Sequence, residues 1–303
     1  MGINTRHGLY AAQIGATVLN GITAVDVKLG TQVRSEASSG EVYARHQAIV
    51  GQKSTGGFAS RAIASALGLV GLAGVSLADL SGGLKLFAQK RADGGTRTGG
   101  SAHRKFTFVK GLVYPTNLTL DHQGDAVVSY DVLPVYDGAN DPVAVTDSVA
   151  LPAITADSER FGLGPFSMEG VATGQLSHLA INFGIAAKGE GADGEIWDTF
   201  SSIEQIAPSI TLRGTDITWW AAGNVPTAGK SLSHALTNFY LRKRAVGGTF
   251  IANNVANHIK FTACGLAVID DGFTAGGELS ISIPLRYDGT NAPLLVNLAS
   301  EIT

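Results

Sequence analysis

Apolar and polar residues alternate with period two over much of the chain. Residues 22–30 (ITAVDVKLG) and 176–184 (LSHLAINFG) both alternate and end on glycine, as half-buried strands do at a turn. Residues 127–136 and 279–287 alternate too and lead into Tyr-Asp-Gly, a strong turn signal. Apolar runs precede Lys90-Arg91 and Lys243-Arg244, and after each pair come Gly-Gly-Thr and another alternating run, starting at His103 and at His258. That order is strand, turn, strand, with glycine supplying positive φ at the reversal. Pro142 and Pro293 follow the Asp-Gly turns and block regular ladder pairing there. A helical pattern covers residues 60–67, with a counterpart over 215–222. Residues 152–164, followed by Pro165, have the character of a linker. The pattern predicts a mainly β chain of two tandem β-sandwich or barrel domains, 1–152 and 153–303. Each holds five to seven strands and one short flanking helix.

The same words recur half a chain apart. KRADGGT at 90–96 returns as KRAVGGT at 243–249. A slide of about 154 residues sets Glu36 against Glu190, and Gly40-Glu41-Val42-Tyr43 against Gly194-Glu195-Ile196-Trp197. It also sets Ile49 against Ile203 and Ile63 against Ile217. With small register changes, His103 meets His258, Gly111-Leu112 meets Gly265-Leu266, and Tyr136-Asp137-Gly138 meets Tyr287-Asp288-Gly289. The matches keep their order along both halves. A colinear series of this kind predicts a tandem duplication.

Composition narrows the function. Charged residues are only 16% of the chain and glycines number 39, which predicts strands and turns with much surface covered by other protein. The net charge of -3 disfavours general nucleic-acid binding through a basic face. The charge is uneven: 13 basic against 11 acidic residues up to Pro152, then 9 against 14. A single cysteine, Cys264, excludes an intrachain disulfide and a thiolate cluster; it is expected to be a small buried hydrophobe. No signal peptide is evident at the start of the sequence. The uncharged stretch 62–78 is short for a membrane span and broken by Gly68, Gly71 and Gly74, so a buried helix is expected instead.

Catalytic chemistry finds little support. No HExxH, G-x-S-x-G or P-loop pattern occurs, and the seven histidines lack ligand spacing. The run EGADGEIWD at 190–198 lacks the oxygen spacing of a calcium loop. No cofactor is expected. In the acidic set Glu36, Glu41, Glu190, Asp193 and Glu195, Glu36 matches Glu190 and Glu41 matches Glu195 across the two halves. They are either solvated loops or a repeated surface facing a neighbour or a channel. Lys90, Arg91, Lys243 and Arg244 follow strands expected at a sheet edge. There they either guard the edge or pair with acidic loops of another subunit. Trp219-Trp220 is expected to serve core or interface.

The run YDGANDPVAVTDS, the strands of GLVYPTNLTLDHQGDAVVSYDV and the long loop before the helix resemble the tail tube (major tail) proteins of long-tailed bacteriophages. The resemblance covers most of the chain but includes no diagnostic motif. It implies a β-sandwich or barrel core with a flanking helix, in the subtype with two tube domains per chain. Such chains form trimers, giving pseudo-hexameric rings that stack into a tube through which DNA leaves. It further implies a non-enzymatic virion protein of the phage tail, assembled in the host cytoplasm. Its partners would be further copies of itself, a tape measure and other tail proteins, and double-stranded DNA in transit without sequence specificity. No membrane partner is implied. The loops 31–57 and 185–208 are then candidates for contact with the next ring. Two other classes compete: a capsid decoration or other head or tail structural protein, and a secreted carbohydrate-binding or adhesin module. The second predicts a leader sequence and exposed aromatic platforms, against an aromatic content of 7%.

Overall fold

A computed structural model of the chain describes residues 5–154, 160–173, 175–192, 194–215, 231–234, 236–266, 270–273 and 278–303. The chain opens with β1 (Thr5–Ile14), β2 (Thr17–Leu19), β3 (Ile22–Lys28), β4 (Thr31–Glu36), β5 (His46–Gln52) and β6 (Thr55–Ser60). Helix α1 (Ile63–Val70) follows, then β7 (Val75–Ser76), β8 (Leu84–Ala92), β9 (His103–Phe108), β10 (Gly111–Asp121), β11 (Val127–Pro134) and β12 (Ala144–Val149). The next strands are β13 (Phe161–Met168), β14 (Val171–Thr173), β15 (Leu176–Asn182), β16 (Ile185–Glu190), β17 (Phe200–Ile206) and β18 (Ser209–Gly214). Last come β19 (Ser231–Leu232), β20 (Asn238–Lys243), β21 (His258–Ala263), β22 (Gly265–Leu266), β23 (Asp270–Phe273), β24 (Leu279–Pro284) and β25 (Leu294–Ser300).

The fold is mainly β and its named strand pairs are antiparallel. A central sheet runs β23-β24-β18-β15-β10-β11-β6-β3, with β7 added on β10. Two five-stranded sheets flank it, ordered β2-β1-β8-β9-β12 and β14-β13-β20-β21-β25. Alternation explains the layering. In β11 the pattern buries Val128, Tyr130 and Val132, while Ser129 and Asp131 turn away. Phe58 and Tyr130 stack at 4.9 Å on that inner face. Phe239 and Phe261 stack at 5.0 Å in one flanking sheet. The apolar residues form one continuous core that includes both numerical halves.

Helix α1 buries Ile63, Ala66, Leu67 and Val70, the i, i+3, i+4, i+7 stripe of a core-facing helix. It starts three residues later than residues 60–67 suggested. Ser60 is still paired in β6, and its Oγ accepts the Ala62 N–H at 3.0 Å. At the far end Gly71, at φ 72°, donates its N–H to the Leu67 carbonyl. The rest of the uncharged stretch therefore does not extend the helix, and no helix among the described residues is long and apolar enough to cross a membrane. The counterpart helix expected over 215–222, with Ile217 and Trp219-Trp220, lies beyond Thr215 outside the described residues.

Two other expectations are corrected. Residues 161–164 are not linker but the start of β13, where Phe161 pairs with Lys243 and Leu163 with Leu241. Pro165 sits in the register break between Leu163 and Phe166, a place where a missing N–H is tolerated. The rest of the expected linker includes 155–159, outside the described residues. Nor do Lys90, Arg91 and Lys243 guard an edge. They lie in β8 and β20, each flanked by a strand on both sides. Arg244 follows directly.

Local geometry repeats along with the words. The Lys90 N–H donates to His103 Nδ1 at 2.9 Å, and the Lys243 N–H to His258 Nδ1 at 3.0 Å. Both rings are buried. With Nδ1 accepting, the neutral ring carries its proton on Nε2. His258 Nε2 donates to the Ala252 carbonyl at 3.0 Å, whereas His103 Nε2 is buried with no partner among the described residues. Burial first, then Arg97 and His7, lowers the His103 pKa from its ordinary value. The unfolded chain therefore takes up a proton below about pH 6.5 that the folded chain refuses. Stability from this site is complete above that pH and is lost as pH falls toward the lowered folded value. The urea midpoint of the protein should drop between pH 7 and 5, and drop less in His103→Gln; equal drops would refute the assignment.

Candidate functional site

The sequence signals that recur are gathered at three kinds of place: a junction within the central sheet, its two outer strands, and two projecting hairpins. The junction joins β10 to β15 through Asn117–Asn182, Leu118–Ile181, Thr119–Ala180, Leu120–Leu179 and Asp121–His178. Leu118, Leu120, Leu179 and Ile181 are buried to 1% exposure or less. Further hydrogen bonds tie the ends: Phe183 N–H to the Thr116 carbonyl at 3.0 Å, and His122 N–H to the Ser177 carbonyl at 2.7 Å. His178 Nδ1 lies 2.6 Å from Asp121 Oδ1.

On either side of that junction the sheet repeats its pairing. Val25 pairs Phe58 and Lys28 pairs Thr55 in β3–β6, with a register break between Ile22 and Ala24. Leu179 pairs Leu212 and Asn182 pairs Ser209 in β15–β18, with the break between Leu176 and His178. Each residue is displaced by 154. The order β3-β6-β11-β10 is thus matched by β15-β18-β24-β23, and the two runs meet head to tail. The outer strands left over are β3 and β23. Val25 and Val27 of β3 are only half-buried, where the matching Leu179 and Ile181 are fully covered by β10.

The loops 31–57 and 185–208 contain hairpins of identical register. Thr31 pairs Gln52 and Glu36 pairs His46 in β4–β5, while Ile185 pairs Ile206 and Glu190 pairs Phe200 in β16–β17. Gly30 (φ +63°) and Gly184 (φ +58°) form their necks, each so close to the returning chain that a Cβ would overlap the carbonyl oxygen of Lys53 or Ala207. The second hairpin is docked. Trp197 stacks on Tyr136 at 4.9 Å and 23°, and its Nε1–H donates to Gln52 Oε1 at 3.1 Å. Gln52 N–H donates to the Ile196 carbonyl at 2.6 Å, and Tyr136 N–H to the Asp198 carbonyl at 2.8 Å. The first hairpin is not: Val42 is 91% and Tyr43 83% exposed.

Glu36, Glu41, Glu190 and Glu195 stand at the outer ends of these hairpins; Asp193 lies outside the described residues. Their carboxylates are engaged locally. Glu36 pairs with Arg34, Glu41 with Arg45 at 2.7 Å, and Glu190 with Lys188 at 2.8 Å. Glu195 Oε2 accepts the Ala192 N–H at 3.0 Å. The Lys188 ammonium holds the Glu190 carboxyl below its ordinary pKa. The basic candidates lie in the flanking sheets rather than beside these tips. Arg244 approaches Asp125 at 3.6 Å and stacks over Phe250 at 5.0 Å.

The Tyr-Asp-Gly motifs are a matched pair of turns. Asp137 Oδ1 accepts the N–H groups of Ala139 and Asn140 at 2.8 and 2.6 Å, and Asp288 Oδ1 those of Thr290 and Asn291 at 2.8 and 2.6 Å. Gly138 and Gly289 have φ 99° and 97°. Hydrogen bonds from Asn291, then Thr290, hold the Asp288 carboxyl down to about 2. Tyr136, ahead of the first turn, is partly covered by Trp197, while Tyr287, ahead of the second, is 60% exposed.

Among the described residues no three His, Cys, Asp or Glu side chains gather at one point. Cys264 is buried, its thiol directed at the Leu232 carbonyl at 3.4 Å, and burial pushes its pKa up. The sequence had shown the acidic words and the turns, but not that β3 and β23 are the outer strands of one shared sheet. The only signal for them was the smaller apolar residues of β3, valines where β15 has Leu179 and Ile181. No protein-family model matches this chain, and no curated protein matches it.

Proposed function

We propose that the chain is a structural virion protein, a tail tube subunit of a long-tailed bacteriophage, built from a duplicated tube domain over 1–152 and 153–303. One observation carries the reading: the central sheet joins its two matching runs head to tail and leaves the same two kinds of edge, β3 and β23, at its ends. A head-to-tail junction can be repeated between copies, and it forms a ring when the rotation closes. The β3 edge of one copy then meets β23 of the next, as β15 meets β10 within the chain. Closure also removes the unpaired edges that invite aggregation. Three chains supply six positions, the trimeric pseudo-hexameric ring that the resemblance implies, and stacked rings make the tube.

The surface that would line the channel suits DNA in transit. The outer face of the central sheet carries a cross-strand row of Ala24, Ala59, Ser129, Asn117, Asn182 and Ser209. Asp26 and Asp131 lie on the same face, both opposite Gly57. The same face also carries Lys28, paired with Asp26 at 3.1 Å, and Arg213 beyond Thr211, so it is the central row of small and neutral side chains, which release no counterions from phosphate, that would hold DNA weakly. In this reading the hairpin tips with Glu36, Glu41, Glu190 and Glu195 reach neighbouring subunits or rings. The tape measure and other tail proteins are the further partners, and the role is structural rather than catalytic.

Concentrated protein should show rings of three chains or hollow tubes by negative-stain microscopy and mass photometry. A monomer that persists at high concentration would refute the proposal.

A further inference from the structure

We infer that the first hairpin is an inter-subunit latch, in which Tyr43 of one copy stacks on Tyr287 of the next. This rests on the ring reading above. A template for this contact is present within the chain. Trp197, near the tip of the second hairpin, stacks on Tyr136, and the backbone beside it is fastened at Gln52 and Tyr136. Displacing the hairpin partner back by 154 turns Trp197 into Tyr43, and the matched Asp-Gly turns convert Tyr136 into Tyr287. Tyr43 and Tyr287 are the counterparts of that pair, with no partner ring among the described residues: they are 83% and 60% exposed. Ile206, the counterpart of Gln52, is 42% exposed, and Val42, the counterpart of Ile196, is 91% exposed.

The two half-sites are complementary and well separated in sequence, so a second copy of this chain is the occupant they fit. If β3 of one copy extends the sheet of the next copy beyond β23, the hairpin that follows β3 is carried over that copy's second Asp-Gly turn. The hairpin that follows β15 is carried over the first turn in the same way. The internal bonds then have intermolecular equivalents: Ile206 N–H to the Val42 carbonyl, and Tyr287 N–H to the Ala44 carbonyl. Aromatic stacking adds to the area buried, and two main-chain hydrogen bonds fix the direction of the arm.

The test uses single thiols in a Cys264→Ala background. Tyr43→Cys and Tyr287→Cys proteins are oxidised mildly, alone and mixed, and run on non-reducing gels. Each alone should remain a single chain, and the mixture should give disulfide-linked dimers. The double variant should give linked dimers and trimers. Rings visible by microscopy with no more dimer in the mixture than in either protein alone would overturn the latch and leave the ring standing. Absence of both rings and dimers would overturn both. A second variant needs no cross-link: Tyr43→Trp with Ile206→Gln copies the internal latch in full and should tighten assembly about tenfold. An unchanged assembly midpoint would count against the latch.

Discussion

Val27→Lys should leave the chain folded and abolish its assembly. Val27 lies on the outer strand β3 and is only half-buried, so a lysine there can lift its ammonium into water along its own stem. In the ring, Val27 would take the position that Ile181 holds inside the chain, where exposure is 0%. A lysine trapped there has no partner charge, and burying an unpaired charge costs several kcal/mol. A loss of about 3 kcal/mol per contact weakens association more than 100-fold, at every junction of the ring. Ile181→Lys carries the same chemistry but should fail to fold, because its interface is already made within the chain. Circular dichroism and mass photometry separate the two results. Rings from Val27→Lys at wild-type concentration would refute a role for β3 in closure.

That contrast shows which parts of the molecule were legible in its letters. The turns were, because Asp-Gly followed by a small residue and Asn is a chemical instruction. The aspartate accepts the amides two and three residues on, and glycine takes positive φ, in both motifs. The buried histidines were visible as a matched pair, though their task of accepting the Lys90 and Lys243 amides was not, since a lone histidine carries no mark of its bond partner. The hairpins were misjudged as loops. Thr31-Gln-Val-Arg-Ser-Glu has one apolar residue in six, because both faces of an arm meet solvent and no alternation is required. The shared central sheet was also hidden. Strands β3 and β15 have the same period and the same register break, and period does not say whether a strand's far side is covered. Leucine and isoleucine against valine was the sole trace. The basic words misled for a related reason: a charge in a central strand and one at an edge look alike when only one face of the strand is exposed.

The acidic candidates remain the least determined by sequence. Glu36, Glu41 and Glu190 each sit beside a basic residue on their own hairpin, so much of their charge is answered locally. Exposed pairs of this kind contribute little, too little to hold an arm against a neighbour. The apolar residues beside them are the better candidates for binding energy. Val42 and Tyr43 are almost fully exposed on one arm, while Ile196 and Trp197 on the other hold its hairpin in place.

Gly184→Val should lower the unfolding free energy by about 4 kcal/mol, near the top of the range for single substitutions. Two terms combine. At φ +58° a residue with a Cβ costs about 1–2 kcal/mol, and more when it is β-branched. Overlap with the Ala207 carbonyl adds the larger share, because the Ala207 N–H bond back to the Gly184 carbonyl closes the neck and cannot yield without loosening. Gly289 separates the terms. Its φ is +97° but nothing lies within 4 Å of its would-be Cβ, so Gly289→Ala should lose only the conformational term, about 1–2 kcal/mol. Urea unfolding of the two variants at neutral pH gives the difference directly. If Gly184→Val were no worse than Gly289→Ala, the neck would not be closed, and the docking of Trp197 on Tyr136 would have to be held by the stack and its hydrogen bonds alone.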